Sequence, residues 1–120
     1  MQRSEKRKLF KVYFFSIYLG MTGKGGYIYI VSNKSRSVLY IGVTSNLAHR
    51  TFEHKEGKGS RFTTKYNCTY LVYYEFYETI DLAIQREKRL KKWKRNWKNQ
   101  LIAKLNPTLK DLYEDVRDLC

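Results

Sequence analysis

The sequence predicts a single small α/β domain of the α+β type, with a small sheet flanked by helices. The chain has 120 residues, which is long enough for one hydrophobic core and too short for two ordinary domains. Three runs rich in β-branched and aromatic residues, at 27–31, 38–43 and 70–76, are typical of strands. After the second and the third run, apolar residues recur at helical spacing.

The first two predicted strands form a hairpin, because residues 32–37 between them are all polar. Side chains alternate along a strand, which separates an aliphatic face from a face that carries tyrosines. A register that pairs Val31 with Val38 places Tyr29 across from Tyr40. We therefore expect an aliphatic core face and a second face on which these two phenols meet.

The first predicted helix runs over residues 47–55. Residues 44–46 supply N-cap side chains, and glycines follow the last turn. Arg50 and His54 lie four residues apart, so a cation and an imidazole share one side of this helix. Residues 57–65 are predicted to form a basic loop before the third strand.

The second predicted helix begins at Thr79 or Asp81 and continues to Asn106, where Pro107 breaks it. Its apolar stripe is interrupted by Glu87. A lone carboxylate rarely lies on a buried face without a partner. Glu87 is therefore the most informative misfit of the chain and a candidate metal ligand.

The charge balance favours a polyanionic partner. Lys and Arg outnumber Asp and Glu by 24 to 11, for a net charge of +13, and each phosphate that is neutralised releases counterions. Nucleic acid is the favoured partner, an anionic membrane surface comes second, and a basic globular protein without such a partner is the alternative. The candidate nucleic-acid-binding residues are Lys65, Lys88, Lys91, Lys92, Lys94 and Arg95.

Both ends of the chain are expected to lie outside the working domain, which we assign to residues 24–113. Residues 1–23 form a basic and apolar extension that need not be ordered, and its apolar run is too short to span a bilayer. Residues 114–120 form an acidic tail. The two cysteines lack metal-ligand spacing, which argues against a zinc site and fits the reducing cytoplasm.

Several short motifs occur in order along the chain. The first two are Tyr27-Ile28-Tyr29, in which tyrosine stands at the usual leading glycine, and Tyr40-Ile41-Gly42. They are followed by GVTSNLAHRTFEH, AIQREKRLKKW and LNPTLKDLY. With these motifs the sequence resembles the GIY-YIG nuclease family over residues 24–113. The likeness is to its small stand-alone members, which are related to the nuclease domain of the bacterial excision-repair incision subunit.

This resemblance implies a three-stranded antiparallel sheet flanked by helices, and hydrolysis of a phosphodiester with one divalent ion, Mg²⁺ or Mn²⁺. Glu87 takes the position of the metal ligand. Tyr29 is the implied general base, with help from Tyr40. Arg50 would stabilise the charge that grows on the phosphoryl oxygens, and His54 would orient a tyrosine or relay its proton.

The remaining acidic and amide residues have smaller implied roles. The family's late asparagine, a support for the metal site, corresponds to Asn106 or to Asn99. A single-metal site is favoured because the other nearby carboxylates are expected to be solvated, namely Glu53, Glu56, Glu75 and Glu78.

The function expected from this resemblance is that of an endonuclease, acting on DNA rather than RNA in repair or DNA turnover. No second domain is present to read bases, so sequence specificity should be low or supplied by a protein partner. The alternative is a basic nucleic-acid-binding module without catalysis. Stable membrane association is not expected.

Overall fold

The computed structural model describes residues 25–119 and folds them into a three-stranded antiparallel sheet with helices, which confirms the predicted fold class. The N-terminal extension predicted for residues 1–23 lies outside the described residues. In chain order, the elements of the described part are β1 Gly26–Ser32, β2 Leu39–Thr44, α1 Leu47–Lys55, α2 Arg61–Lys65, β3 Tyr70–Tyr77, α3 Ile80–Lys91, α4 Arg95–Leu105 and α5 Tyr113–Val116. No helix among them is long and apolar enough to cross a membrane.

The sheet has the strand order β2-β1-β3, so β1 is the central strand. Tyr29 pairs with Gly42 of β2 and with Tyr74 of β3, while Tyr40 pairs with Val31. The predicted register, which placed Tyr29 across from Tyr40, was therefore wrong by two residues. A shift of two keeps every side chain on its predicted face.

The register is set by the loop between β1 and β2. The side chain of Asn33 accepts a hydrogen bond from the backbone of Val38 at 3.0 Å, and a backbone bond from Arg36 to Asn33 closes a turn. Arg36 has a positive φ of 65°. Val38 is thus held by the loop, and pairing begins at Ser32 with Leu39.

Both faces of the sheet are covered by apolar cores. The first core contains the aliphatic side chains of β1 and β2 together with the buried stripe of α3 and Ile102 of α4. The second core contains Tyr29, Val31 and Leu47, packed against residues near the C-terminal end. The tyrosine face is therefore a core of its own.

Helix α1 has the predicted bounds. Its N-cap is Asn46, whose side chain accepts a hydrogen bond from the backbone of His49, and Gly57 follows the helix with a φ of 76°. The segment after it was predicted to be a loop, and this was wrong, because residues 61–65 form the short helix α2. Ser60 and Thr63 form a reciprocal capping box that stabilises this single turn.

The long second helix of the prediction is two helices, α3 and α4, separated at residues 92–94. The backbone amides of Lys92 and Trp93 bond to carbonyls three residues earlier, which tightens and ends α3. Trp93 then packs on the first core, whereas Trp97 is largely exposed. The candidate nucleic-acid-binding residues from Lys88 to Arg95 therefore lie on both sides of this break.

The chain after α4 is fixed to β3. The amide nitrogen of Leu112 bonds to the carbonyl of Leu71 at 2.7 Å, and Asp111 accepts from the amide of Leu71 at 3.1 Å. Val116 of α5 is completely buried in the second core. The segment predicted as an acidic tail is thus anchored to the domain by one apolar side chain.

Candidate active site

The site is built around the phenol of Tyr29, which lies on the central strand and is only 1% exposed. Its ring extends across the neighbouring strand over Gly42. A Cβ atom at Gly42 would lie 2.4 Å from the Tyr29 hydroxyl oxygen. The glycine of the second tripeptide therefore gives the phenol the space it occupies.

Two side chains of α1 contact the Tyr29 hydroxyl. Nε of Arg50 donates to it at 3.2 Å, and Nε2 of His54 lies 2.9 Å from it. Arg50 and His54 are four residues apart on the helix, so one helical face brings both groups to a single oxygen. Three of the residues proposed from the sequence thus meet in one buried cluster.

His54 is held in place from its other side. Its Nδ1 lies 3.1 Å from the hydroxyl of Thr63, which accepts from the amide of Ser60 at 3.0 Å. The backbone of Gly59 lies so close to the ring that an added Cβ would be 1.9 Å from Nδ1. The capping box of α2 therefore also fixes the imidazole.

The imidazole of His54 is neutral at pH 7. Burial, and then the positive charge of Arg50, lower its pKa to about 4. A neutral imidazole has one donor and one acceptor nitrogen. Because the Tyr29 oxygen already accepts from Arg50, we assign Nε2 as the acceptor of the phenol proton and Nδ1 as the donor to Thr63.

Arg50 links the buried phenol to the surface. Burial alone would lower the pKa of Arg50, but Tyr29 and Glu53 outweigh burial and raise it. Nη1 of Arg50 donates to Glu53 at 2.8 Å, and this hydrogen bond lowers the pKa of Glu53. The other Glu53 oxygen lies 3.2 Å from Nε2 of His49. The guanidinium is therefore shared between a phenol and a carboxylate.

Two of the four carboxylates expected to be solvated are instead paired. Glu53 binds Arg50, as described above. Glu75 receives two hydrogen bonds from Arg86, both at 3.0 Å, and a third from Tyr77 at 2.7 Å. The expectation of a solvated side chain was wrong for Glu75, which is 18% exposed, whereas Glu53 keeps 33% of its side chain exposed beside Arg50.

Tyr40 is half-buried and borders the cluster through ring contacts. Its ring centroid lies 5.9 Å from that of His54 and 5.8 Å from that of Phe62, on which it stacks. The Tyr29 ring contacts the same imidazole at 5.4 Å. Both tyrosines therefore meet His54, although they are not paired across the strands.

Glu87 lies on α3, on the stripe that packs against the first core, and is 5% exposed. The predicted burial of this carboxylate is confirmed. One oxygen pairs with Nζ of Lys91 at 2.8 Å. The other, Oε1, is buried and has no hydrogen-bond partner among the described residues. Glu87 thus belongs to the first core, whereas the Tyr29 cluster belongs to the second.

The donor set around Glu87 fits a metal ion with a single protein ligand. A buried carboxylate oxygen without a partner is costly unless something binds it, and oxygen is the ligand that Mg²⁺ and Mn²⁺ prefer. In residues 25–119, no group of three or more acidic, His or Cys side chains converges on one point. Waters and phosphate oxygens would therefore complete the coordination.

The two candidate asparagines have protein partners. The side-chain nitrogen of Asn106 donates to the carbonyls of Val72 and Lys110, and its oxygen accepts from the amide of Lys110. These bonds hold the chain after α4 against β3 and account for the burial of Asn106. Asn99 is exposed and accepts from Nε of Arg95. A role for either in metal binding stays a prediction.

The candidate nucleic-acid-binding residues lie in two places. Lys65 ends α2, and its Nζ lies 5.2 Å from the ring centroid of Tyr66. The others lie around the junction of α3 and α4, and they are Lys88, Lys91, Lys92, Lys94 and Arg95.

Arg95 differs from these lysines in that its guanidinium has a structural contact. It donates to the carbonyl oxygens of Arg36 at 2.8 Å and of Ser37 at 3.0 Å. Arg95 therefore ties α4 to the β1–β2 loop.

Sequence reasoning missed Thr63, which fixes the His54 ring. The signal was present, because Ser60 and Thr63 have the spacing of a capping box. A helix of five residues with one buried side chain is too short to show an apolar stripe, so periodicity did not indicate α2. The ring of Phe62 against Tyr40 was missed for the same reason.

Comparison with known proteins shows which family profile and which relatives this chain is similar to. The GIY-YIG catalytic domain profile matches residues 25–100. A UPF0213 protein of Clostridium perfringens is 43% identical over 77 residues, which is 64% of this chain and 82% of that protein. A UPF0213 protein of Haloquadratum walsbyi is 36% identical, over 62% of this chain and 83% of that protein.

One solved structure is also similar. The solution NMR structure of a UPF0213 protein from Bacillus halodurans is 26% identical to this chain. The match covers 72% of this chain and 92% of that protein, with a TM-score of 0.47.

Proposed function

Because the chain belongs to the GIY-YIG catalytic domain family, we propose that it is a metal-dependent endonuclease that hydrolyses phosphodiester bonds in DNA. The observation that carries this proposal is the buried Tyr29 hydroxyl, shared by Nε of Arg50 and Nε2 of His54. A phenol, a guanidinium and a neutral imidazole around one oxygen supply a general base and an anion-stabilising group in one place.

Arg50 is proposed to move from Glu53 to the phosphate when substrate binds. Its guanidinium is the part of the cluster nearest the surface and already pairs with the carboxylate of Glu53. A phosphodiester offers the same bidentate acceptor geometry, and its negative charge grows in the transition state. This exchange would draw Arg50 away from the buried phenol and give the Tyr29 oxygen access to the attacking water.

His54 is proposed to orient the phenol rather than to relay its proton. With a pKa of about 4 it is a weak base. It therefore takes up the phenol proton poorly at neutral pH. Accepting the hydrogen bond of the Tyr29 hydroxyl needs no proton transfer and fixes the direction of its lone pairs. To act as general base, Tyr29 would lose its own proton to solvent once Arg50 has moved, and the phenolate would then accept the proton of the attacking water.

The metal ion is proposed to bind at Glu87, on the side of the sheet opposite the Tyr29 cluster, so the phosphate would reach both groups around the edge strand β2. When bound, a divalent cation would supply Lewis-acid stabilisation of the phosphoryl oxygens. The chain contributes the buried oxygen Oε1, which has no partner among the described residues. Lys91, paired with the other oxygen, would orient the carboxylate.

The substrate is proposed to be DNA, with low intrinsic sequence specificity, in repair or DNA turnover in the cytoplasm. The net charge of +13 supports binding to phosphates regardless of sequence. The lysines at the α3–α4 junction and Lys65 are proposed to contact the backbone. A protein partner would supply any site preference.

A nucleic-acid-binding module without catalysis is the second candidate. It is favoured by one observation, the burial of Tyr29, whose hydroxyl is covered by Arg50 and His54. In this alternative the cluster stabilises the fold, and the basic surface alone performs the function.

Nicking of supercoiled plasmid tests the two candidates. The protein is incubated in Mg²⁺, in Mn²⁺ and in chelator, beside Glu87→Ala and beside Glu78→Ala, which removes an exposed carboxylate as a control. The nuclease predicts metal-dependent nicking by the parent and by Glu78→Ala, and none by Glu87→Ala. Retarded but intact plasmid in every lane would favour the binding module.

A further inference from the structure

A row of aromatic rings leads from the candidate active site to the surface. It begins at His54 and continues through Tyr40 to Phe62 and Tyr66. The ring of Tyr40 lies 5.8 Å from that of Phe62 with an angle of 28° between their planes, which is a stacked arrangement. Phe62 and Tyr66 follow at 4.8 Å. The row therefore extends the imidazole side of the Tyr29 cluster outward along α2.

The two outer rings are not core residues. Phe62 is 42% exposed and Tyr66 is 40% exposed. Neither belongs to the buried clusters or to the partly buried side chains packed on them. Two adjacent exposed rings form an apolar patch, which is a feature of interaction surfaces.

The surface around these rings is cationic. An open groove beside them is lined by Lys58, Arg61 and Lys65 together with Ser60 and Thr64. Nζ of Lys65 lies 5.2 Å from the centre of the Tyr66 ring. Alternation of exposed rings with positive charges is the pattern that binds a single nucleic-acid strand, because rings stack on bases and cations neutralise phosphates.

We propose that Phe62 and Tyr66 form a stacking subsite for unpaired bases of a nucleic-acid strand whose phosphate reaches Arg50. The proposal rests on the proposed function and names its substrate class, a single-stranded or locally unpaired segment. Bases inside a duplex are covered by their neighbours, so an aromatic side chain reaches a base face only where the strand is unstacked. The preferred targets are then ends, flaps, gaps or loops.

Fluorescence anisotropy in chelator tests this subsite without cleavage. The probes are a labelled 20-nucleotide DNA strand, an RNA strand of the same sequence, and the blunt DNA duplex. The variants are Phe62→Ala, Tyr66→Ala, Phe62→Leu and Phe62→Trp. Phe76→Ala is the control, because Phe76 is an exposed ring on β3, the strand at the edge of the sheet opposite β2.

The expected result is tighter binding of single strands than of duplex. Phe62→Ala, Phe62→Leu and Tyr66→Ala should each weaken single-strand binding about fivefold or more, while Phe62→Trp and Phe76→Ala keep it. Leucine keeps the apolar volume, so its loss of affinity would report the ring face itself. The DNA and RNA arms show which strand is bound.

The result that would overturn the proposal is equal affinity for duplex and single strands, or single-strand affinity that Phe62→Ala leaves unchanged. Either result would leave plasmid nicking by the parent unaffected, so the subsite can fail while the nuclease stands. Conversely, ring-dependent single-strand binding without any metal-dependent cleavage would support the subsite and contradict the nuclease.

Discussion

Gly42 of β2 lies directly against the hydroxyl of Tyr29 on the neighbouring strand, with 2.4 Å between that oxygen and the position of an added Cβ. Gly42→Ala should therefore push the phenol away from Arg50 and His54. We expect a loss of stability of about 1–3 kcal/mol from overpacking, together with loss of plasmid nicking. Thermal unfolding and the nicking rate measure the two effects.

Gly57→Ala is the matched control for that substitution. Gly57 has a φ of 76°, and no atom of residues 25–119 lies within 4 Å of its Cβ position, so alanine there costs about 1–2 kcal/mol of backbone strain without touching the site. Equal nicking by the two variants at equal stability would contradict the role assigned to Gly42.

The depressed pKa of His54 predicts a pH dependence of stability. In the unfolded chain the imidazole has a pKa of about 6.5, while burial and Arg50 lower it to about 4 in the fold. Between these values the unfolded state binds more protons, so stability is complete above pH 6.5 and falls toward pH 4. The loss is up to about 3 kcal/mol.

Urea unfolding from pH 4 to pH 8 measures this loss, and the second histidine supplies its control. His54→Gln should flatten the slope between pH 4 and 6.5, whereas His49→Gln, at an exposed position beside Glu53, should change it less. If His49→Gln flattened the slope and His54→Gln did not, the assignment of a buried, neutral imidazole to His54 would be contradicted.

The burial of Glu87 predicts that function and stability oppose each other at this position. Glu87→Met removes from an apolar stripe a charge with one oxygen that has no partner in the described part of the chain, and we expect unchanged or increased stability, by about 1–4 kcal/mol at most. Nicking should be lost. Mg²⁺ should raise the melting temperature of the parent and not that of the variant.

Lys91→Met gives the comparison for this test. It leaves the Glu87 carboxylate buried without its ion-pair partner, so it should be less stable than the parent. If Glu87→Met were as destabilised as Lys91→Met, the carboxylate would be a structural anchor rather than a ligand held at a cost to stability.

Local patterns predicted a large part of the fold. The bounds of α1 followed from Asn46 and from the glycines after the helix, and the burial of Glu87 followed from its place on an apolar stripe. The side of the sheet on which Tyr29 lies followed from the alternation of side chains along a strand. Each of these signals depends on neighbours within a few residues along the chain.

The parts that were missed depend on contacts that periodicity does not carry. The β1–β2 register is set by the side chain of Asn33 in the loop. Helix α3 ends just before Trp93, which packs on the first core. The hydrogen bond between the Thr63 hydroxyl and His54 joins α2 to α1. The pairing of Glu53 with Arg50 depends on a long side chain that reaches toward a buried phenol.

Single-turnover cleavage by Tyr29→Phe tests the central claim most directly. The ring stays in the second core and only the hydroxyl shared by Arg50 and His54 is removed. Tyr27→Phe is the control, since its ring contacts Tyr74 and Phe76 on β3. The account predicts DNA binding equal to that of the parent and cleavage at least about 100-fold slower for Tyr29→Phe alone. Cleavage at the parent rate would contradict it.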